Sequence, residues 1–243
     1  MRYDRAGTQR TADDGTAIQA VGTQAKLEAF LCCFHELRTA LVGAAAKKAA
    51  LAALLDGAGQ DLEDFISLDV TSGFGMGACT GGQRLDGQHG LAGEIAHITV
   101  EPQGGRVCGC GNQGCLETVA TDMALTHYVS KRVGKELDFD AIKELVKQGE
   151  LDITPELDRT IEFLGIGVAA AINIFNPSNI FISSRLFDLQ DDVFSRMCEL
   201  AKNRALKPSS SSCEIERSKG NKYLGAVAGI INHLANGLGP RLT

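Results

Sequence analysis

The first clear hydrophobic pattern along the chain is a short apolar run that begins at Phe65. The run FISLDV carries β-branched residues at Ile66 and Val70 and leads directly into glycine, so it predicts a buried strand. The next segment, TSGFGMGACTGG, places glycines at alternate positions. Its closing pair, Gly81 and Gly82, indicates a hairpin turn.

Downstream of residue 120 the apolar positions recur with the period of a helix. Thr154 and Pro155 open a long segment that Asn176 and Pro177 close. One face of that predicted helix is apolar and should be core: Leu157, Ile161, Leu164, Val168, Ile172 and Phe175. Asp122 and Asp140 are the predicted caps of two shorter helices.

Further elements alternate in type toward the end of the chain. NIFIS and CEIE predict strands, residues 191–205 predict an amphipathic helix, and LGAVAGIINHLANGL predicts an apolar helix of small residues. Upstream, residues 27–55 are rich in alanine and leucine and predict two helical stretches, stopped at Gly57. Strands that alternate with helices predict an α/β domain whose sheet is covered by helices.

Composition and charge narrow the class of protein. The 243 residues are 44% hydrophobic and 22% charged, enough for a substantial core. The formal net charge of −6 gives no general attraction to nucleic-acid phosphates. No apolar run approaches the roughly 20 residues of a spanning helix, and the first fifteen residues lack a signal-peptide pattern. The sequence therefore predicts a cytoplasmic protein without a membrane partner.

Four potential metal ligands lie within nineteen residues: His97, Cys108, Cys110 and Cys115. One imidazole and three thiolates make a full tetrahedral set for structural zinc, and the intervening glycines allow a tight loop. A disulfide or free thiols are the alternatives, but three cysteines leave one over and neighbouring Cys-x-Cys pairs bridge poorly. We assign no function to the other five: Cys32, Cys33, Cys79, Cys198 and Cys213.

The glycine run after the first strand is a second candidate site. Ser72, Gly73 and Gly75 could let backbone N–H groups approach a phosphate without interference from a Cβ atom. The alternative is a glycine-kinked hairpin that binds no ligand. The sequence does not decide between the two.

Four motifs together resemble one family. SGFGMG, GLAGEIAHITVEP, CGCGNQGCLE and INIFNPSNIFIS occur in an order similar to that of the ROK family (repressors, open reading frames and sugar kinases). The resemblance covers residues 41–243 and leaves residues 1–40 as an irregular or partial segment. It implies an actin-like, ribonuclease-H-like α/β fold, mainly its C-terminal lobe, with a zinc loop at residues 97–115.

The resemblance also implies sugar recognition. Glu94 and Glu117 would accept hydrogen bonds from sugar hydroxyls, and His97 would both ligate zinc and face the sugar. Ionised carboxylates form strong, directional bonds to hydroxyls and so distinguish epimers. The alternatives are solvated surface glutamates and, for Glu117, a helix-capping role.

Departures from the kinase pattern favour a regulator over an enzyme. The stretch VGAAAKKAALAA puts Ala45 where a ROK kinase has its general-base aspartate, and an alanine cannot accept a proton. Ser183, Ser184 and Arg185 replace the glycine-rich turn that accommodates adenosine in the kinases. Residues 1–40 contain no Asp-Gly-Gly-Thr type phosphate loop, which phosphoryl transfer would need for positioning.

The resulting hypothesis is a non-catalytic, sugar-binding domain of a ROK transcriptional regulator of the glucose or N-acetylglucosamine repressor type. Its ligand would be a hexose or N-acetylhexosamine. It would form a homodimer or higher oligomer and contact DNA only through a helix-turn-helix that this N-terminally incomplete chain lacks. The alternatives are an ATP-dependent ROK sugar kinase of the hexokinase or glucokinase type and a zinc-stabilised remnant without ligand function.

Overall fold

The structure, a computed structural model, describes residues 62–218. Within them a mixed sheet contains strands in the order β3-β2-β1-β4-β5. The strands are β1 (Phe65–Val70), β2 (Phe74–Thr80), β3 (Gln83–Arg84), β4 (Asn179–Ser184) and β5 (Glu214–Arg217). The predictions for Ala45, for the helices within residues 27–55 and for the small-residue helix after residue 220 lie outside the described residues.

The helices of the described residues follow the third and fourth strands in the chain. They are α1 (Asp122–Val133), α2 (Phe139–Lys147), α3 (Thr154–Phe175), α4 (Val193–Arg204) and α5 (Lys207–Ser212). Short 3-10 turns occur at Gln88–Gly90, Ile95–His97, Leu116–Thr118 and Arg185–Asp188. None of the helices in this part of the chain is long and apolar enough to cross a membrane.

Two kinds of strand pairing meet at β1. It pairs antiparallel with β2 and parallel with β4, and β4 pairs parallel with β5. The predicted turn at Gly81 and Gly82 is confirmed, since both have positive φ and connect β2 to β3. The carboxyl ends of the parallel strands β1 and β4 therefore meet at one edge of the sheet, the usual place for ligands in α/β folds.

The core lies between the sheet and α3. Ile66 and Leu68 of β1 and Ile180 and Ile182 of β4 are fully or almost fully buried. The predicted apolar face of α3 is confirmed for the residues Leu157, Ile161, Leu164, Val168 and Ile172, which are at most 1% exposed. Phe175, at the last turn, is only half-buried. Asn176 ends the helix, as its position before proline predicts, and it adopts the left-handed conformation in which asparagine often follows a helix.

Both predicted caps of the shorter helices are wrong by one or two residues. Thr121 caps α1, because it is extended and its hydroxyl accepts a hydrogen bond from the backbone N–H of Ala124 at 3.1 Å. Asp138 caps α2 in the same way, through the N–H of Ala141 at 2.7 Å. Asp122 and Asp140 lie in the first turns, where their charge still favours the helix N-terminus.

Candidate metal centre and its surroundings

The candidate metal centre is built on a loop, the metal loop (residues 97–115), that folds back on itself. His97 ends a 3-10 turn, and the chain returns at residues 114–116, where Leu116 donates to the carbonyl of Ile98 at 2.9 Å and Val100 donates to that of Gly114 at 2.8 Å. Between these two paired segments the chain makes a tight turn, in which the N–H of Cys108 donates to the carbonyl of Asn112 at 2.7 Å. Residues eighteen positions apart are thereby brought side by side.

The structure brings all four predicted ligands together. One donor atom each from His97, Cys108, Cys110 and Cys115 lies within 4.8 Å of every other. The Sγ atoms of Cys110 and Cys115 are 3.7 Å apart, and Nδ1 of His97 is 3.6 Å from Sγ of Cys108. Zinc bonds of about 2.3 Å to sulfur and 2.0 Å to nitrogen give tetrahedral edges of about 3.8 Å and 3.5 Å. The donor set and its spacing therefore fit a tetrahedral zinc ion.

The thiols differ in exposure and in pKa. Cys108 and Cys115 are buried, whereas Cys110 is exposed. Burial raises the pKa of Cys108, and burial together with hydrogen bonds to the two other thiols raises the pKa of Cys115 to about 12. Burial acts in the same direction on Cys110, but the backbone N–H of Asn112 and the neighbouring thiols lower its pKa overall. A bound dication stabilises thiolates, so the cluster is suited to a metal.

Glycines at the base of the loop allow close backbone contact. A Cβ atom on Gly114 would lie 1.9 Å from the carbonyl oxygen of Glu101, and one on Gly105 would lie 2.5 Å from the same atom. Other glycines of the loop have free space, because a Cβ on Gly104 or Gly109 would meet nothing within 4 Å. Close packing therefore requires glycine at positions 105 and 114 but not at 104 and 109.

Glu94 lies beside the histidine on the side away from the thiols. Its Oε2 is 3.9 Å from Nε2 of His97, while Nδ1 of the same ring faces Cys108. The preceding Gly93 packs on β2, where an added Cβ would lie 2.7 Å from the carbonyl oxygen of Met76. The ring of His97 thus has one nitrogen toward the candidate metal and the other toward a carboxylate.

Glu117 connects the metal loop to the first residue of β2. Its Oε2 accepts a hydrogen bond from the backbone N–H of Phe74 at 3.3 Å, and its Oε1 lies 3.7 Å from Sγ of Cys108. It is in the first turn of the 3-10 segment Leu116–Thr118, whose N-cap Cys115 makes no side-chain capping bond. Glu117 is therefore neither a helix cap nor a surface glutamate without partners, the two alternatives that its sequence position suggests.

The three residues of the candidate phosphate loop have different environments. Ser72 lines a cavity at the carboxyl ends of β1 and β4. Gly73 faces Glu117, whose Oε2 would lie 3.2 Å from an added Cβ, and Gly75 is inside β2, paired with Asp69. The turn also uses its own amides, since Thr71 donates to the carbonyl of Gly73 at 2.9 Å.

The cavity beside Ser72 has a volume of about 470 Å³ and a mixed charge. Arg185 reaches Asp140 at 2.5 Å and Asp122 at 3.8 Å, and its guanidinium carbon lies 4.4 Å from the ring centroid of Phe139. Arg217, also in the lining, pairs with Asp188 at 2.8 Å. The arginines that could attract an anion here already have carboxylate partners.

Several residues around the metal loop could not be identified from sequence patterns. Arg159 of α3 pairs with Glu101 at the base of the loop, although 58 residues separate them in sequence. Tyr128 of α1 lies against Arg159 and against Arg106 of the loop. No spacing rule connects these positions, and only the packing of α1 and α3 on the loop brings them together.

Comparisons with known proteins agree with the resemblance seen in the sequence. The ROK family profile matches residues 35–231, and the chain belongs to this family. The Escherichia coli K12 DNA-binding transcriptional dual regulator NagC is 33% identical over 211 residues, which is 82% of this chain and 52% of that protein. The Halalkalibacterium halodurans glucokinase is 33% identical over 148 residues, or 55% of this chain and 45% of that protein. The chain thus spans about half the length of these curated relatives.

Solved structures of both ROK branches share the fold. A ROK family transcriptional regulator, a homologue of the E. coli MLC protein, has a TM-score of 0.69 and 27% identity over 79% of this chain and 52% of that one. The ROK hexokinase from Thermus thermophilus has a TM-score of 0.67 and 26% identity over 76% of this chain and 64% of that one. The α/β fold is confirmed, and both regulators and kinases are among the relatives.

Proposed function

We propose that this chain is the sugar-binding, effector-sensing domain of a ROK transcriptional regulator and that it has no catalytic activity. The observation that carries the proposal is the double role of His97. Its Nδ1 faces the thiol of Cys108 in the candidate metal centre, and its Nε2 faces the carboxylate of Glu94. A zinc ion bound at Nδ1 would fix the orientation of the ring and, through it, one edge of a sugar site.

Glu117 supplies the second carboxylate of the proposed site. It lies next to Cys108, so a metal that orders the loop also orders this side chain. Two carboxylates and an imidazole nitrogen around one loop match the hydroxyl groups of a pyranose, which donate and accept hydrogen bonds in fixed directions. We therefore assign a hexose or an N-acetylhexosamine as the ligand, with Glu94, His97 and Glu117 as its contacts and structural zinc at His97, Cys108, Cys110 and Cys115.

Three features favour a sensor over a kinase. The N–H of Phe74, the first residue of β2 and the neighbour of Gly73, is already bonded to the Glu117 carboxylate. The cavity at the end of β4 is lined by Arg185 and its partner Asp122 in place of a glycine-rich turn. Alanine occupies position 45 in the sequence, where the kinases have their base. In the regulator that we propose, DNA contact belongs to a helix-turn-helix outside the described residues, and the domain is a homodimer or higher oligomer in the cytoplasm.

The test is isothermal titration of the zinc-loaded protein with glucose, N-acetylglucosamine and mannose. We expect saturable binding of at least one sugar. Glu94→Gln and Glu117→Gln, which keep the side-chain shape and remove the charge, should each weaken it about tenfold, because hydrogen bonds to charged groups contribute about 1.5 kcal/mol or more. Glu162→Gln is the matched control, since Glu162 pairs with Arg204 on the exposed faces of α3 and α4. An equal effect of all three substitutions would contradict the proposed contacts.

A ROK sugar kinase is the second candidate, and the glucokinase and hexokinase relatives favour it. A coupled ADP-release assay with ATP and the same sugars separates the two functions. The sensor binds sugar and releases no ADP above the rate without sugar. Sugar-dependent ADP release would establish the kinase instead. Absence of heat with every sugar would leave the third candidate, a zinc-stabilised remnant.

A further inference from the structure

Arg159 occupies a half-buried position where the metal loop rests on the helices. Its guanidinium group, on α3, donates a hydrogen bond to the carboxylate of Glu101. The guanidinium carbon lies 5.4 Å from the ring centroid of Tyr128 and 5.0 Å from that of Phe163. A planar cation held over aromatic faces loses little further freedom when it forms its ion pair, which favours one fixed position.

Its partner Glu101 is the residue on which the base of the metal loop packs. The backbone N–H of Glu101 donates to the carbonyl of Gly114 at 3.1 Å, and its own carbonyl lies where any side chain on Gly114 would clash. Cys115 follows Gly114 directly. A displacement of Glu101 would therefore move the backbone that carries a buried thiol of the candidate metal centre.

A second arginine, which belongs to the metal loop itself, also lies against the ring of Tyr128. Arg106, two residues before Cys108, has its guanidinium carbon 5.8 Å from the Tyr128 ring and donates to the carbonyl of Thr118 at 3.3 Å. Thr118 follows Glu117 in the chain. Tyr128 thus lies between an arginine that holds the base of the loop and an arginine that contacts the backbone next to Glu117.

We propose that Arg159 is a positioning residue of this site: through Glu101 and Tyr128 it holds the metal loop in the geometry that retains zinc and presents Glu117. It touches neither the metal nor the sugar. The sugar part of this inference rests on the proposed function, whereas the zinc part does not. Substitution of a residue that holds a metal ligand in place typically lowers metal affinity about 10-fold to 100-fold. We expect an effect near 10-fold, because Arg159 acts on the backbone of the ligand only through Glu101.

The experiment follows zinc transfer from the loaded protein to a chromophoric chelator, beside calorimetric titration with a sugar that the wild type binds. Arg159→Ala should release zinc about tenfold faster and bind sugar more weakly. Arg159→Lys, which keeps the charge for Glu101 but loses the planar stacking, should lie between Ala and wild type. Tyr128→Leu removes the aromatic face and should also speed zinc release and weaken sugar binding. This variant tests the proposal if Arg159→Ala does not fold.

Arg196→Ala is the matched control. Arg196 pairs with Asp158, the neighbour of Arg159 on α3, and its side chain is 34% exposed against 41% for Arg159. If Arg159→Ala, Arg159→Lys and Tyr128→Leu all release zinc at the rate of Arg196→Ala, the positioning role is wrong and the contact is merely structural. If the wild type binds no sugar, the proposed function fails, while the zinc-release rates still decide the role of Arg159.

Discussion

The carboxylate of Glu117 accepts a hydrogen bond from the backbone N–H of Phe74, 43 residues earlier in the chain. This contact joins the first residue of β2 to the metal loop, and it occupies the N–H of Phe74 next to the candidate phosphate loop. In the proposed sugar site, a ligand that moved Glu117 would therefore act on the strand hairpin as well as on the metal loop. The same contact makes the position of Gly73 critical.

Gly73→Ala should weaken sugar binding without loss of zinc. The added Cβ would lie 3.2 Å from Oε2 of Glu117, a tight contact that shifts the carboxylate by a few tenths of an ångström. Because the carboxylate is shifted and not removed, the bond to the sugar is weakened only in part, and we expect a loss of up to about tenfold in affinity, measured as Kd by calorimetry. Gly109→Ala is the control, because its Cβ would meet nothing within 4 Å. Equal affinities in the two variants would rule out this role of Gly73.

Cys110→Ser should lower both zinc content and thermal stability. If the loss of one thiolate weakens zinc binding a hundredfold, the stabilisation by the metal falls by about 2.7 kcal/mol. For a chain of this size that corresponds to a decrease in Tm of roughly 5–10 °C. Metal analysis and thermal denaturation measure the two effects. Cys198→Ser is the control, at a half-buried cysteine of α4, and this variant should retain its zinc. An unchanged Tm in Cys110→Ser would show that the site is not structural.

Gly114→Ala and Gly104→Ala separate steric conflict from backbone strain. Both glycines have a φ near +70°, so either substitution costs about 1 kcal/mol or more in the left-handed region. Only at Gly114 would the Cβ also meet the carbonyl of Glu101, at 1.9 Å. We expect Gly104→Ala to retain stoichiometric zinc and Gly114→Ala to lose it, as measured by metal analysis after dialysis. Retention of zinc by both would mean that the loop tolerates a displaced base.

Asp64 gives a prediction for acid pH. Its carboxylate accepts bonds from the N–H of Gly81 and the hydroxyl of Thr80, and these two bonds, the N–H bond first, lower its pKa. A lowered carboxyl pKa stabilises the folded state above the unfolded value of about 3.9, and the stabilisation is lost as the pH falls through the lower folded value. Asp64→Ala should therefore lower Tm at pH 7, and its Tm should converge with that of the wild type in strong acid.

The pH series needs its own control. Asp191→Ala, at an exposed aspartate in the turn before α4, should follow the wild-type Tm across the same pH range. A difference between Asp64→Ala and wild type that stays constant down to the lowest pH would show that the effect does not come from the ionised carboxylate.

The long helix and the clustering of His97 with three cysteines were the features that the sequence predicted best. The 3.6-residue apolar period from Leu157 to Ile172 and the Asn176-Pro177 stop are local signals, so they predicted both ends of α3 and its buried face except for Phe175. The clustering of the four candidate ligands was equally predictable from the sequence, because three cysteines and a histidine lie in one short loop. The helix caps were less secure, since Thr121 and Asp138 compete with neighbouring aspartates and only backbone geometry decides between them.

Contacts between distant segments could not be predicted. Glu117 with Phe74 and Arg159 with Glu101 are separated by 43 and 58 residues, and no periodicity relates them. The sequence showed Ser72, Gly73 and Gly75 as one run, but strand pairing places Gly75 in the ladder of β2 while Ser72 faces a cavity. Which glycines face a ligand depends on the register of the hairpin, which a single sequence does not specify.

The most direct test of the central claim is one calorimetric comparison. Zinc-loaded and zinc-depleted protein are titrated with the same hexose or N-acetylhexosamine, in the absence of ATP, at a temperature at which both forms remain folded. The account predicts saturable binding at one site per chain with zinc and at least about tenfold weaker binding without it. Equal affinity in the two forms, or no binding by the zinc-loaded protein to any of the sugars, would contradict it.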